Sequence, residues 1–274
     1  MRIPLAGVIG SPVGHSRSPI LHGTWLKQYR LPGHYVPLHV EADDLERVLR
    51  AMPAMGFVGA NVTIPHKEAA LALADEVSDT ARQIGASNTL SFREGRIYAD
   101  NTDAYGFIQN LRDGAPVWRP EQSRALVIGA GGAARAVLIA LIQAGVPEIL
   151  LTNRTLSRAE SLARALTGPI RVVDWESFAQ VLPQAGLVVN TTSLGMDGQP
   201  PMGFPAEALH PESVVTDIVY TPLETQLLRD AKARGCHVVD GLGMLLHQAV
   251  PGFERWFGHR PEVTADLRRA VLQQ

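Results

Sequence analysis

The chain reads as an α/β protein of two α/β domains. Three features point that way. Ala125–Ile128 is a short apolar run that breaks at Gly129-Ala130-Gly131, resumes from Gly132 as a helix-favouring stretch, and is followed by a second strand-like run, Glu148–Asn153. Strand-like and helix-like segments alternate on both sides of that turn. Between the halves, Ala115–Ser123 carries Pro116 and Pro120 and no hydrophobic period, as a link between domains does. Two C-terminal helical stretches, Leu245–Phe257 and Val263–Leu272, exceed what the second domain needs and are expected to return to the first. The expected boundaries are 1–113 with 243–274 for the first domain and 121–242 for the second.

Composition bounds the function classes. The 274 residues are 46% hydrophobic and 19% charged, enough for two ordinary cores. A net charge of −2 supplies no basic field for nucleic acid or an anionic membrane. No apolar run approaches a membrane span. The N-terminus reads as a first strand rather than a leader, so the expected location is the cytoplasm. The single cysteine, Cys236, allows no internal disulfide. None of the nine histidines has metal-ligand spacing, and no metal is expected.

In chain order, Ile3–Gly10 is a strand and Ser11–Pro19 the loop after it. Ser18 is expected to cap a helix running to about Tyr29, with Pro19 at its first position. Ser16 and Ser18 then project at a sheet's carboxyl edge beside a helix start, a geometry that suits a carboxylate or phosphate. Tyr35–Val40 reads as a strand and Asp43–Met52 as a helix. Gly59–Ile64 is a third strand, cut off by Pro65, and the next helix is expected to reach Glu76. It carries Lys67 in its first turn, where the helix dipole disfavours a charged amine. Lys67 is therefore either a snorkelling surface lysine or a group poised to exchange a proton, with Asn61 and Thr63 beside it. Ser78–Gly85 is a short helix. Ala86–Phe92 and Gly95–Asp100 are strands joined by a turn at Arg93-Glu94-Gly95. Asp103 precedes an apolar helix, Ala104–Leu111, either as its cap or as a polar group brought, with Asn88, toward the same rim.

The second half starts on the pattern G-x-G-x-x-A, with Ala134 in the third small position. Gly129 allows the tight turn, Gly131 lets backbone amides approach a pyrophosphate, and Ala134 keeps helix and strand close. Further strands are expected near Ile170, Gly186, Val214 and His237, making a Rossmann-type domain. Asn190–Gly195 should lie near the nicotinamide crevice. Thr221-Pro222-Leu223-Glu224 reads as a capping box opening a helix that ends at Gly235. About twenty residues past the glycines stands Asn153-Arg154-Thr155, with Arg158 behind it. A site for NAD places an acid there to hold the ribose hydroxyls. This chain has arginine and no acid, which suits a 2′-phosphate and points to NADP(H).

Taken together, Gly14–Pro19, Asn61–Lys67, Gly85–Thr89, Asp100–Asp103, Gly129–Ala133, Asn153–Thr155, Asp240–Met244 and Gln248 resemble the shikimate dehydrogenase family over nearly the full chain. The resemblance implies reversible NADPH-dependent reduction of 3-dehydroshikimate to shikimate, in chorismate and aromatic amino-acid biosynthesis. It implies an N-terminal substrate-binding and catalytic domain and a Rossmann-type NADP-binding domain, hinged over a cleft. By the same resemblance Ser16, Ser18 and Tyr220 hold the substrate carboxylate. Thr63, Asn88, Asp103 and Gln248 bind the ring hydroxyls, with Asn61 nearby. Lys67 exchanges the proton, alone or as a pair with Asp103. Gly129, Ala130, Gly131, Gly132 and Ala133 hold the pyrophosphate, and Asn153, Arg154, Thr155 and Arg158 the adenosine end. Ile218 and Gly241 flank the nicotinamide, and Asp79 matches a weaker cofactor position. Ser87 stands where the family usually has valine. Three rivals stay open: a quinate/shikimate dehydrogenase with other cofactor preference, an NADP-sensing binding protein, and a glycine-rich methyltransferase. The oligomeric state is not legible, a homodimer being one option.

Overall fold

A computed structural model describes residues 3–273. The chain divides into two compact units, residues 1–102 with 246–274 and residues 103–245.

The first unit contains β1 (Leu5–Gly10), α1 (Ser18–Gln28), β2 (His34–His39), α2 (Leu45–Ala51), β3 (Phe57–Val62), α3 (Lys67–Ala72), β4 (Glu76–Val77), α4 (Asp79–Ile84), β5 (Thr89–Arg93) and β6 (Arg96–Asp100). Its sheet runs β2-β1-β3-β5-β6-β4. β1 is parallel to β2 and β3, and β5 is antiparallel to β3 and β6. The apolar residues of β1 and β3 meet Leu45, Leu49 and Met52 of the α2 segment in one buried cluster. A two-residue turn joins β5 to β6, with Glu94 and Gly95 both left-handed at φ 52° and 74°. That is the hairpin whose twist matches the flanking strands.

Local reading and structure part in two places here. α3 stops at Ala72, short of the expected Glu76. The residues after it turn to pair with β6: Asp75 N–H donates to Ile97 O at 2.9 Å, and the Asp75 carboxylate accepts from Ile97 N at 2.7 Å. Ser18 does not cap α1. It is the first helical residue, Arg17 occupies the cap position but makes no side-chain capping bond, and Ser16 Oγ accepts from Ser18 N at 3.3 Å.

The second unit contains α5 (Asp103–Gly114), β7 (Arg124–Ile128), α6 (Gly132–Gln143), β8 (Glu148–Thr152), α7 (Leu156–Ala165), β9 (Ile170–Val172), β10 (Leu187–Asn190), β11 (Val214–Asp217), α8 (Gln226–Ala233) and β12 (His237–Val239). Its sheet is parallel throughout, in the order β12-β11-β10-β7-β8-β9. Counted from β7, that is the doubly wound dinucleotide-binding order, with its switch point between β7 and β10. The central strands β7, β10 and β11 are buried on both faces, as parallel sheets require. α5 is bound into this unit: Asn110 Nδ2 donates to Asp240 O at 2.7 Å. α8 starts at Gln226, not at Thr221. Thr225 is its cap, its hydroxyl accepting from Leu228 N, while Glu224 lies outside and faces Lys232 at 3.5 Å.

Two last helices follow, α9 (Leu242–Phe257) and α10 (Ala265–Leu272), and residues from Leu246 onward belong to the first unit. Trp256 Nε1 donates to Leu90 O of β5 at 3.0 Å. Trp25 Nε1 of α1 donates to Glu262 O at 2.9 Å. The C-terminal segment thus returns to the first unit, as expected.

Candidate active site

In the first unit, β1 and β3 are parallel neighbours, so the loops after them leave from one sheet edge. Ser16 and Ser18 follow β1, and Thr63 and Lys67 follow β3. A Cβ on Gly10 would lie 2.5 Å from Thr63 Cγ2, so the glycine is what lets the two loops touch. Lys67 is the half-buried first residue of α3, and its carbonyl accepts from Ser87 N at 2.9 Å.

The amides expected to face ring hydroxyls form one network. Asn61 Nδ2 donates to Asn88 O at 3.0 Å and to Thr89 Oγ1 at 3.3 Å. Asn88 Oδ1 accepts from Thr102 N at 2.8 Å and from the Thr89 and Thr102 hydroxyls, while Asn88 Nδ2 donates to Gln248 Oε1 at 3.2 Å. Asn61, Asn88 and Gln248 are all buried. Asp103 follows Thr102 in the chain and opens α5. The Ser87 departure is accommodated: its buried hydroxyl donates to Asp100 O at 2.9 Å.

Beneath these residues lies a buried ring cluster. Tyr35 OH donates to Asn61 Oδ1 at 2.7 Å, and His22 stacks on the Tyr35 ring with centroids 4.0 Å apart. Burial pushes His22 down to about 3, only partly offset by the nearby Asn61 amide, and neither ring nitrogen has a hydrogen-bond partner of good geometry among the described residues. His22 is a neutral packing group. Burial likewise raises the Tyr35 phenol well above its usual range, with Ser18 opposing.

In the second unit, Gly129 sits at φ +114°, and a Cβ there would meet Thr191 Oγ1 at 2.5 Å. The loops after β7 and β10 therefore touch at the switch point. Cβ atoms on Gly131 and Gly132 would meet nothing. α6 begins at Gly132 with no side-chain cap and no acid in its first turn. Its uncapped amides and open glycine cradle fit a pyrophosphate, and residues Gly129 to Ala133 would hold it. At the end of β8, Arg154, Thr155 and Arg158 are exposed, and Asn153 Nδ2 donates to Thr155 O at 2.9 Å. Gly241 and Ile218 are brought together: a Cβ on Gly241 would strike Ile218 O at 2.3 Å. Tyr220 is half-buried two residues on. Asp79 is an exposed residue in the first turn of α4, where its charge favours the helix start.

Local sequence reading missed Asp217. It is fully buried at the end of β11, and Oδ1 accepts from Val219 N at 3.0 Å and Asn190 Nδ2 at 2.9 Å, while Oδ2 accepts from the Thr225 hydroxyl at 2.8 Å. Burial pushes its carboxyl up to about 6 against those three donors. One side chain so ties together the ends of β10 and β11 and the start of α8. An acid closing an apolar strand was the available signal.

A Rossmann unit with an open glycine turn, joined to a second α/β unit carrying a lysine and a buried amide network, defines a two-unit dinucleotide-binding α/β protein. The comparisons narrow that class. Residues 8–90 match the shikimate dehydrogenase substrate binding domain, 117–195 the shikimate / quinate 5-dehydrogenase domain, and 241–272 the shikimate 5'-dehydrogenase C-terminal domain. The shikimate dehydrogenase (NADP(+)) of Cereibacter sphaeroides is 62% identical over 273 residues, covering 99% of this chain and 98% of its own. The chain belongs to the shikimate dehydrogenase family. Among solved structures, shikimate 5-dehydrogenase from Thermus thermophilus in complex with NADP(H) and shikimate is 39% identical with a TM-score of 0.87, covering 97% of this chain and 98% of that one. Quinate dehydrogenase from Corynebacterium glutamicum in complex with NAD is 34% identical with a TM-score of 0.91, covering 98% and 99%. No helix among the described residues is long and apolar enough to cross a membrane, and no described cluster could hold a metal ion.

Proposed function

We propose that the chain catalyses the reversible NADPH-dependent reduction of 3-dehydroshikimate to shikimate. The observation that carries this reading is the first unit's amide network, with Asn61, Asn88 and Gln248 held in mutual hydrogen bonds beside the strand end that leads to Lys67. Such a set recognises a ring with several hydroxyls. Residues 1–113 and 243–274 serve the substrate and 121–242 the cofactor.

Ser16, Ser18 and Tyr220 bind the substrate carboxylate, and Thr63, Asn88, Asp103 and Gln248 its hydroxyls. Bound NADPH supplies the hydride. As negative charge develops on the carbonyl oxygen, Lys67 stabilises it and gives up a proton, with Asp103 orienting the lysine or accepting from a substrate hydroxyl. In the oxidative direction Lys67 takes the proton back. Arg154 and Arg158 hold the 2′-phosphate, and Ile218 and Gly241 flank the nicotinamide. Asp79 has a family counterpart at the cofactor but no supporting contact. The compartment is the cytoplasm; a homodimer is the alternative to a monomer, and sedimentation of the full chain distinguishes them.

Absorbance at the nicotinamide band, with shikimate or quinate against NADP or NAD, tests the reading. Shikimate with NADP is expected to be the fastest pair. The likeness to a quinate dehydrogenase makes quinate with NAD the second reading, and preference for that pair would replace the first.

A further inference from the structure

Tyr35 is absent from every motif that carries the family resemblance, and it is only 8% exposed. Its placement follows from register. Tyr35 pairs with Ala6 and Asn61 with Val8, and Ala6 and Val8, two apart on β1, face the same side of the sheet. The phenol therefore reaches across the central strand, over the small Ala6 side chain, to Asn61 Oδ1 at 2.7 Å. The ring is fixed by His22, stacked at an interplanar angle of 4°, and by Trp256, tilted at 6.1 Å. Ser18 lies close enough to oppose the upward push of burial on the phenol. Phenylalanine would fill this site without burying a hydroxyl, so the hydroxyl needs a reason.

The amide hydrogens of Asn61 point to Asn88 O and Thr89 Oγ1, Thr89 donates to Asn88 Oδ1, and Asn88 donates to Gln248 Oε1. Tyr35 thus stands at the head of a directional chain of hydrogen bonds ending on the amides. We propose that Tyr35 is a positioning residue for substrate: its hydroxyl holds Asn61, and through it the Asn88–Gln248 pair, in their binding orientations without touching the substrate. This rests on the reading that Ser18 and the Asn61–Asn88–Gln248 network form the shikimate site.

Tyr35→Phe keeps the ring and the stack on His22 and removes one hydroxyl. Its shikimate KM should rise about tenfold, the scale of one lost buried hydrogen bond, with the KM for NADP unchanged and kcat moved far less. A purely structural role would lower the unfolding temperature and leave KM, measured well below it, at the wild-type value. Replacing Tyr35 by p-aminophenylalanine restores an N–H donor at the ring's end and should bring KM back. The Tyr35→Phe, Asn61→Ala pair should lose less than the product of the single losses. If Ser18→Ala alone leaves shikimate KM unchanged, the carboxylate assignment is wrong. If Ser18→Ala raises KM while folded Tyr35→Phe keeps the wild-type value, the role of Tyr35 is overturned. A raised KM that the p-amino variant fails to lower overturns it equally.

Discussion

Lys67→Met keeps the side chain's length and apolar stem while removing its charge and every transferable proton. The variant is expected to fold, to bind NADP normally and to lose turnover by about 10²–10⁴-fold, the range of general acid–base catalysis. Its shikimate affinity should fall much less, because the carboxylate and hydroxyl contacts remain. Asp103→Asn should also slow turnover and weaken substrate binding more. Steady-state rates and equilibrium binding separate these effects, and near-normal turnover in Lys67→Met would remove the lysine from the mechanism. Arg154 is exposed at the end of β8 with no acid nearby in sequence. Arg154→Ala should raise the NADP KM by the equivalent of about 1.5–3 kcal/mol, one charge-assisted contact, with turnover at saturating cofactor retained. Unchanged NADP binding would move the 2′-phosphate elsewhere. Ser18→Ala illustrates why residue type alone misleads. Read locally, it removes a helix cap, but α1 has no side-chain cap. Its effect should fall on shikimate binding, with little of the cap's stability loss.

Between elements, β3 fits closely against α9. A Cβ on Gly59 would lie 1.9 Å from Trp256 Nε1 and 2.4 Å from Leu90 O. Those two atoms are themselves hydrogen-bonded, so neither can retreat without losing the bond. Gly59→Ala should destabilise the first unit by about 1–3 kcal/mol or more, the overpacking scale, with loss of intrinsic Trp fluorescence intensity or a spectral shift on the same transition. Wild-type stability would mean that α9 can slide on the sheet. At the start of α8, Thr225 serves two partners at once, Leu228 N and the Asp217 carboxylate. The capping-box pattern at Thr221 and Glu224 loses to it because a buried carboxylate needs donors more than an exposed turn needs a second cap. The end of α3 follows the same logic: pairing Asp75 and β4 with β6 satisfies more backbone groups than another helical turn would.

Asp217 turns a local network into a property of the whole molecule. Folded, its carboxyl titrates at about 6; free of the fold, near 3.8. The folded state therefore holds the proton more tightly. The associated stability is fully present below about pH 4 and is lost as pH rises through 6, amounting to about 3 kcal/mol in total. Carboxylates such as Asp100 act with the opposite sign: burial raises it, but Ser78 and Arg255 outweigh that and leave it lowered. The pH dependence belongs in a comparison. Urea unfolding of wild type and Asp217→Asn at several pH values should show the wild type losing stability relative to the variant from pH 4 to 6. A difference that stays flat would mean that Asp217 remains an ordinary carboxylate when buried.

Much of this protein is settled by short-range chemistry. Gly129 and Gly131 between an apolar run and a helix-favouring stretch read as a dinucleotide turn, and arginine in place of an acid after β8 points to the phosphorylated cofactor. Both are backbone and charge requirements met within a few residues, so they are visible in the chain itself. Motifs at Ser16, Asn61, Lys67, Asn88 and Gln248 likewise carry the family resemblance before any fold is known. The outcomes that local reading could not reach concern buried polar groups that need partners from distant segments. Ser18 became the first residue of its helix rather than its cap, and Thr225 was drawn to Asp217. β4 was taken out of α3 by β6, and Tyr35 became the anchor of the Asn61 network. Each follows from one physical fact: a buried donor or acceptor must be satisfied, and which partner reaches it depends on strand register and packing, not on its neighbours in the chain.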